Sequence, residues 1–204
     1  IAFKNSGLGT PIIVAKENVV KERLKEIGYG ENLDIRIVNS TNKEMRDKYV
    51  KLLFKKMHRD QGLLERDCDR MVRTDRVIWA SCMVECGDAD AMVTGNTRRY
   101  SQSLEKIKKV IPARLGEIMF GLNMVVSKGK TVFIGDTSVN EYPTSEELAD
   151  IAVSSARVVR LFGFDPKVAF LSHSTFGQPI TSRTKHIRDA VETVSYTHLT
   201  LPTN

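Results

Sequence analysis

The sequence predicts an α/β protein built as two successive lobes around mainly parallel sheets. Three observations carry this. A strand, a helix and a second strand follow one another within the first 38 residues, and a βαβ unit of that length implies parallel pairing. Apolar strand-like runs then end repeatedly in short polar junctions, at Thr94-Gly95, at Gly135-Asp136-Thr137 and at Ser172-His173-Ser174-Thr175. In open α/β sheets ligands sit beyond the carboxyl ends of strands. Finally, Pro112 closes a first block and a second begins near Arg114, which divides the chain at 1–113 and 114–193.

The elements follow in order. Thr10 to Ala15 reads as a short strand, and Glu17 to Ile27 as a helix with Val19, Val20, Leu24 and Ile27 on one face and Gly28 as its stop. Asp34 to Val38 is the second strand. Asn42 to Lys56 is a charged helix whose buried stripe is Met45, Tyr49, Leu52 and Leu53. Arg73 to Cys86 is a more apolar helix ended by Gly87, and Asp88 to Gly95 gives a strand opening on Thr-Gly. Ser101 is placed to cap a helix that runs to Val110.

In the second block the apolar run Ile118 to Val126 and the strand Thr131 to Ile134 flank a turn at Lys128-Gly129-Lys130. Pro143-Thr144-Ser145-Glu146-Glu147 combines a hydroxyl cap with first-turn carboxylates, the start of a helix. It carries Leu148, Ile151, Ala152, Ser155, Val158, Val159 and Phe162 inward and ends at Gly163. Asp165-Pro166 turns into a strand at Val168 to Leu171, and Arg183 to Thr193 is helical. Residues 194–204 contain no Lys, Arg, Asp or Glu and break the preceding pattern. They read as the translation of a sequencing adapter, outside the fold. Ile1-Ala2-Phe3-Lys4 is neither an initiation product nor a signal peptide, so the chain is expected to be cut at its front as well as its end.

Composition is that of a globular chain: 204 residues, 41% hydrophobic and 27% charged, with a net charge of +6. No run is long enough to span a membrane. The charge suits an anionic partner, and the lack of a basic tract or recognition module points to small phosphorylated molecules or a nucleotide such as coenzyme A, not nucleic acid. Three cysteines, Cys68, Cys82 and Cys86, are too few and odd for a disulfide framework, and a reducing cytoplasm is expected.

Two readings stand beside each candidate residue. Asp136, Thr137 and Asn140 either contact a phosphate or acyl group or form an Asx-type turn that caps the helix at Ser145. Ser172, Ser174, Thr175 and Gly177 either bind ligand or satisfy local backbone donors, and His173 is expected to have no catalytic part. Thr94 and Gly95 precede Arg98 and Arg99, guanidinium forks suited to phosphate or merely solvated. Arg114 and Arg183 follow as weaker candidates. Cys82 and Cys86 share a helix face, but no further ligands accompany them, and no metal is expected. Gly7-Leu8-Gly9 lacks the third glycine of a dinucleotide fingerprint, so NADP binding is not expected of this chain.

Three stretches together carry a resemblance: Gly87-Asp88-Ala89-Asp90-Ala91-Met92-Val93-Thr94-Gly95, Asp136-Thr137-Ser138-Val139-Asn140-Glu141-Tyr142-Pro143-Thr144 with Glu147-Leu148-Ala149-Asp150-Ile151-Ala152, and Leu171-Ser172-His173-Ser174-Thr175-Phe176-Gly177. They resemble the phosphate acetyl/butyryl transferase superfamily up to about Thr193. Arg66-Asp67-Cys68, Thr74-Asp75-Arg76, Gly95-Asn96-Thr97-Arg98-Arg99-Tyr100 and Phe176-Gly177-Gln178-Pro179 are similar to the version in the C-terminal domain of bacterial NADP-dependent malic enzymes. The resemblance implies a two-lobed, three-layer α/β/α fold, phosphate acetyltransferase-like and incomplete at both ends. It implies acetyl-CoA or coenzyme A as ligand and a regulatory role toward an N-terminal malate-oxidising part of the parent, where NADP and a divalent metal would act. Homo-oligomerisation is expected with it. The alternative is a phosphate acetyltransferase that moves an acetyl group between acetyl phosphate and coenzyme A. The Asp-x-Ser-Arg-Gly type element that supplies the catalytic Ser and Arg of true transferases is not found in this sequence.

Overall fold

A computed structural model describes residues 1–29, 35–172 and 178–198. The chain divides into two compact units, Ile1–Pro112 and Ala113–Asn204.

The first unit begins with a single turn, α1 (Ala2–Asn5), followed by β1 (Ile12–Val14), α2 (Glu17–Glu26) and β2 (Arg36–Val38). β1 and β2 pair in parallel, with Ile12, Ile13 and Val14 opposite Arg36, Ile37 and Val38. That is the predicted βαβ unit. Its helix buries less than the periodicity suggests. Val20 and Leu24 are half-buried while Val19 and Ile27 are exposed, because a two-stranded sheet offers a helix only a narrow shelf.

Four helices follow: α3 (Lys43–Gln61), α4 (Glu65–Thr74), α5 (Arg76–Glu85) and α6 (Tyr100–Val110). Asn42 caps α3 by accepting from the Met45 N–H at 3.0 Å. Tyr49, Leu53 and Met57 from this helix meet Cys68 and Val72 of α4, Ile78, Trp79, Cys82 and Met83 of α5 and Val110 of α6 in one apolar core. The Tyr49 and Trp79 rings sit edge to face, centroids 5.0 Å apart. Tyr49 reaches out of the core with its hydroxyl, which donates to Asp88 at 2.8 Å, while the Lys48 ammonium lies 2.9 Å from both Asp88 oxygens. Burial pushes the Cys82 thiol up to about 12, so it is a packed, protonated group.

Three expectations for this unit need correction. The helix placed at Arg73 to Cys86 is two helices, because Asp75 is extended (φ −119°, ψ 112°) and starts α5 by accepting from the Val77 N–H at 2.9 Å. Ser101 caps nothing: α6 starts at Tyr100, after an extended Arg99. The strand expected at Asp88 to Gly95 does not form. No strand among the described residues pairs with it, Val93 is fully exposed, and Thr94 and Gly95 end an irregular segment.

In the second unit β3 (Leu122–Ser127) and β4 (Lys130–Gly135) form an antiparallel hairpin, so parallel pairing is confined to the first unit among the described residues. Lys128 (φ 49°) and Gly129 (φ 73°) make its two-residue turn, the left-handed pair that matches strand twist. One face of the hairpin carries Phe133, whose ring contacts Phe162 and Phe164 at 5.7 and 5.8 Å. α7 (Ser145–Leu161) begins with the predicted capping box: Thr144 Oγ1 accepts from the Glu147 N–H at 3.1 Å, and Glu147 accepts from the Thr144 N–H at 2.7 Å. It buries Ala149, Ile151, Ala152, Ala156 and Val159 and packs on β4 and on α8 (Ser182–His198).

Two expectations fail here too. Val168 to Leu171 is not a strand, for it has no pairing partner among the described residues, and both Val168 and Leu171 are exposed. The helix does not break at Val194 but continues to His198, since nothing before Pro202 removes a backbone donor. Among the described residues no helix is long and apolar enough to cross a membrane.

Replacing Thr144 with Ala leaves the Glu147 N–H without its acceptor. The expected cost is about 1 kcal/mol, read as a lower urea midpoint with an unchanged slope.

Candidate functional site

The described candidate residues fall into a loop of the first unit, a loop of the second and, at Ser172, the segment after α7. In the first unit Thr94, Gly95 and Arg98 are all exposed. Gly95 to Thr97 closes a tight turn, with the Thr97 N–H donating to the Gly95 carbonyl at 2.8 Å. Arg98 is held from below. Its Nη1 donates to Asp75 Oδ2 at 3.1 Å, and Lys106 of α6 donates to the same oxygen at 2.5 Å. Burial alone would raise the Asp75 carboxyl. The Lys106 ammonium, the Val77 N–H and the Arg98 charge outweigh it and hold the group below the ordinary carboxylate range. A guanidinium carries five N–H donors, so one bond to Asp75 orients Arg98 and leaves most of its fork available to an anion. Arg99 and Arg114 are exposed as well.

In the second unit Asp136 and Asn140 are brought together, largely as the Asx-turn reading had it. Asp136 Oδ1 accepts from the N–H groups of Gly121 (2.8 Å), Ser138 (3.1 Å) and Val139 (3.2 Å). Asp136 Oδ2 accepts from the Asn140 N–H and from Asn140 Nδ2, each at 2.7 Å. The same Nδ2 donates to the Met119 carbonyl at 2.8 Å. Burial raises this carboxyl, but the N–H donors of Ser138, Gly121, Asn140 and Val139 more than reverse it and keep it below the ordinary range. A carboxylate so saturated is a fastener, not a base. The loop does not cap α7; Thr144 does that.

Thr137 and Ser138 hold the remaining chemistry of this loop. A side chain on Gly121 would meet Thr137 Oγ1 at 2.9 Å, Asp136 Oδ1 at 3.1 Å and Ser138 Oγ at 3.6 Å. Only glycine lets the loop lie this close, and it gathers two hydroxyls at one place. Ser172 is described and exposed. His173, Ser174, Thr175 and Gly177 lie outside the described residues. Among the described residues no group of three or more His, Cys, Asp and Glu side chains is placed to hold a metal ion.

The sequence reading missed Asp75, Lys106, Gly121 and Met119. Asp75 had a signal, an N-cap residue type one position before an apolar run. The others act across 15 to 31 positions of chain, and no local pattern marks them.

A family model described as phosphate acetyl/butaryl transferase matches residues 1–203. The NADP-dependent malic enzyme of Rhizobium meliloti (strain 1021) is 39% identical over 193 residues, covering 94% of this chain and 25% of that protein. A phosphate acetyltransferase of Nitratidesulfovibrio vulgaris is 31% identical over 166 residues, 80% of this chain and 23% of that one. The chain thus spans about a quarter of the length of these relatives. Among solved structures, the EutD phosphotransacetylase from Staphylococcus aureus matches with a TM-score of 0.74 at 22% identity, covering 93% of this chain and 57% of that chain. That likeness places the fold in the α/β class predicted.

The Asp136 fastener sets an acid limit. Its folded pKa lies below its unfolded one, so its contribution is complete above the ordinary carboxylate range. It is lost as pH falls through the depressed value. Asp136→Ala is expected to cost about 2–3 kcal/mol by leaving charge-assisted donors unpaired, measured by urea unfolding at neutral pH. Asp136→Asn should flatten the loss of stability on acidification below pH ~4.

Proposed function

The chain belongs to the phosphate acetyl/butyryl transferase family, and from that premise we propose that it is the acetyl-CoA-binding regulatory module of an NADP-dependent malic enzyme. One observation carries the reading: 94% of this chain aligns, at 39% identity, with a quarter of a malic enzyme. The other three quarters of such a parent are what a regulatory module would act upon. The reading places this chain in the C-terminal domain of the parent, with malate oxidation, NADP and the divalent metal in the N-terminal part. A homo-oligomeric, cytoplasmic parent goes with it.

Each unit by itself carries groups that suit such a ligand. Arg98, oriented by Asp75 and exposed, offers guanidinium donors to the phosphates of the coenzyme. Thr94, close by in sequence, adds a hydroxyl. Thr137 and Ser138 offer hydroxyls, gathered against Gly121, that suit an acyl carbonyl or a phosphate oxygen. Asp136 and Asn140 support that loop from within; Ser172, Ser174, Thr175 and Gly177 are proposed on their sequence alone. Regulation is then linkage: acetyl-CoA binds one arrangement of the parent more tightly and shifts the malate-oxidising part toward it.

A second reading is favoured by the phosphate acetyltransferase relative and the phosphotransacetylase likeness of the fold. In it the coenzyme A thiolate attacks the acetyl carbonyl of acetyl phosphate, the carbon–sulfur bond forms, and the carbon–oxygen bond to phosphate breaks as phosphate leaves. Cationic side chains such as Arg98 would steady the departing charge.

Calorimetric titration of the full-length parent with acetyl-CoA separates these. The expected result is saturable heat, a change in malate turnover, and roughly tenfold weaker binding in Arg98→Ala, the size of one lost charge-assisted contact. Acetyl-phosphate-dependent thioester formation would favour the second reading. The absence of both heat and altered turnover would overturn the first.

A further inference from the structure

A cleft on the surface of α3 is independent of both candidate loops. It is a shallow cleft of about 310 Å³, open to solvent and lined by Phe54, Lys55, His58 and Arg59 of this one helix. Positions i, i+1, i+4 and i+5 of a helix form one continuous patch, so the four side chains are neighbours by construction. Phe54 packs one side of its ring on the core. The other partner of that ring is the imidazole of His58, centroids 4.5 Å apart and tilted by 33°. His58 is itself fixed, with Nδ1 3.1 Å from the Leu63 carbonyl. A carbonyl can only accept, so Nδ1 carries the hydrogen and Nε2 is left for another partner.

The cations on this helix divide into two kinds. Arg46 faces Asp47 and Asp69, Lys48 faces Asp88, and Lys56 faces Glu85. Lys43, Lys51, Lys55 and Arg59 are exposed with no acidic partner among the described residues, and the last two lie beside the cleft. The surrounding unit has 22 Lys and Arg against 16 Asp and Glu, while the second unit has 9 of each. All the net positive charge therefore lies in the unit that carries the cleft.

We propose that this cleft binds a nucleoside phosphate, its base against the Phe54–His58 ring pair and its phosphate between Lys55 and Arg59. With Phe54 covered by the core and by the tilted imidazole, the outward side of exposed His58 is the surface on which a base would stack, and such stacking tolerates any base because every base has a π-face. A guanidinium fork takes phosphate oxygens two at a time, and an ammonium adds a point charge. The volume lies at the small end of ligand sites, which suits one nucleotide unit. A bare phosphate would leave the rings uncovered, and a nucleic-acid strand would need a row of such shelves.

The test titrates the 204-residue chain with ADP, adenosine and inorganic phosphate by calorimetry at low salt. ADP is expected to bind at least about tenfold more tightly than either half alone, since the base and phosphate contacts add. Lys55→Glu with Arg59→Glu should weaken ADP by about tenfold or more without moving the thermal midpoint, both side chains being exposed. His58→Ala should weaken ADP and leave phosphate binding unchanged. Arg98→Ala, which tests the acetyl-CoA reading, should leave ADP binding unchanged. Equal affinity for ADP and phosphate, no heat with ADP at millimolar concentration, or ADP binding that survives charge reversal but is lost in Arg98→Ala would each overturn the proposal. Arg59→Gln, the milder change, should weaken ADP about threefold, and an unchanged affinity there counts against it as well.

Discussion

Loops without regular structure still carry backbone N–H groups that need acceptors once water is excluded, and in both units a carboxylate answers that need. Asp136 takes four backbone N–H groups and one side-chain amide from a segment that has no helix or strand of its own. Asp75 takes the first free N–H of α5 and two cations that arrive from later in the chain. Asp88 takes a phenol and an ammonium from α3. In each case one charged acceptor converts a flexible connection into a defined one. The candidate side chains stand on the connections so defined.

This arrangement separates support from contact. The Asp136 carboxylate is held low by its donors and has no use for a proton near neutrality, which removes it from acid–base chemistry. The hydroxyls of its neighbours Thr137 and Ser138 lie beside Gly121, so the cost of fixing the loop falls on a different residue from those proposed to meet a ligand. Arg98 follows the same logic. Its bond to Asp75 removes rotamer freedom in advance, and a preorganised fork loses less on binding than a wandering one.

Much of this was legible because the signals are local. Thr144 and Glu147 spell a capping box three residues apart, Lys128-Gly129-Lys130 marks a turn of which Lys130 proves to open β4, and the first 38 residues spell a parallel βαβ unit. Of the stripe Met45, Tyr49, Leu52 and Leu53, readable from period alone, Tyr49 and Leu53 lie in the core while Met45 and Leu52 pack against it half-buried. The failures share one cause. Asp88 to Gly95 and Val168 to Leu171 have strand-like composition, but a strand exists only through a partner, and pairing is not a property of the segment. The Asx-turn alternative at Asp136 was visible as a residue type, whereas Gly121 and Met119, which it fastens to, lie more than ten residues upstream and carry no mark.

The unpaired segments also explain why fold class could be right while individual strands were not. An α/β class depends on which helices have an apolar face and on the order of elements, and both are set by sequence near each helix. Strand assignment depends on whether the apolar run finds hydrogen-bonding neighbours and cover. In the second unit, Phe133 finds cover under Phe162 and Phe164, while Val125, Val132 and Ile134 on the opposite face of the same hairpin stay exposed. The alternation along β4 is therefore genuine, yet both of its faces are apolar, the pattern of a strand meant to be buried on two sides. Hydrophobicity alone could not tell the covered face from the open one. Only the helix termini, where Phe162 and Phe164 follow the last turn of α7, decide which side of the hairpin becomes core.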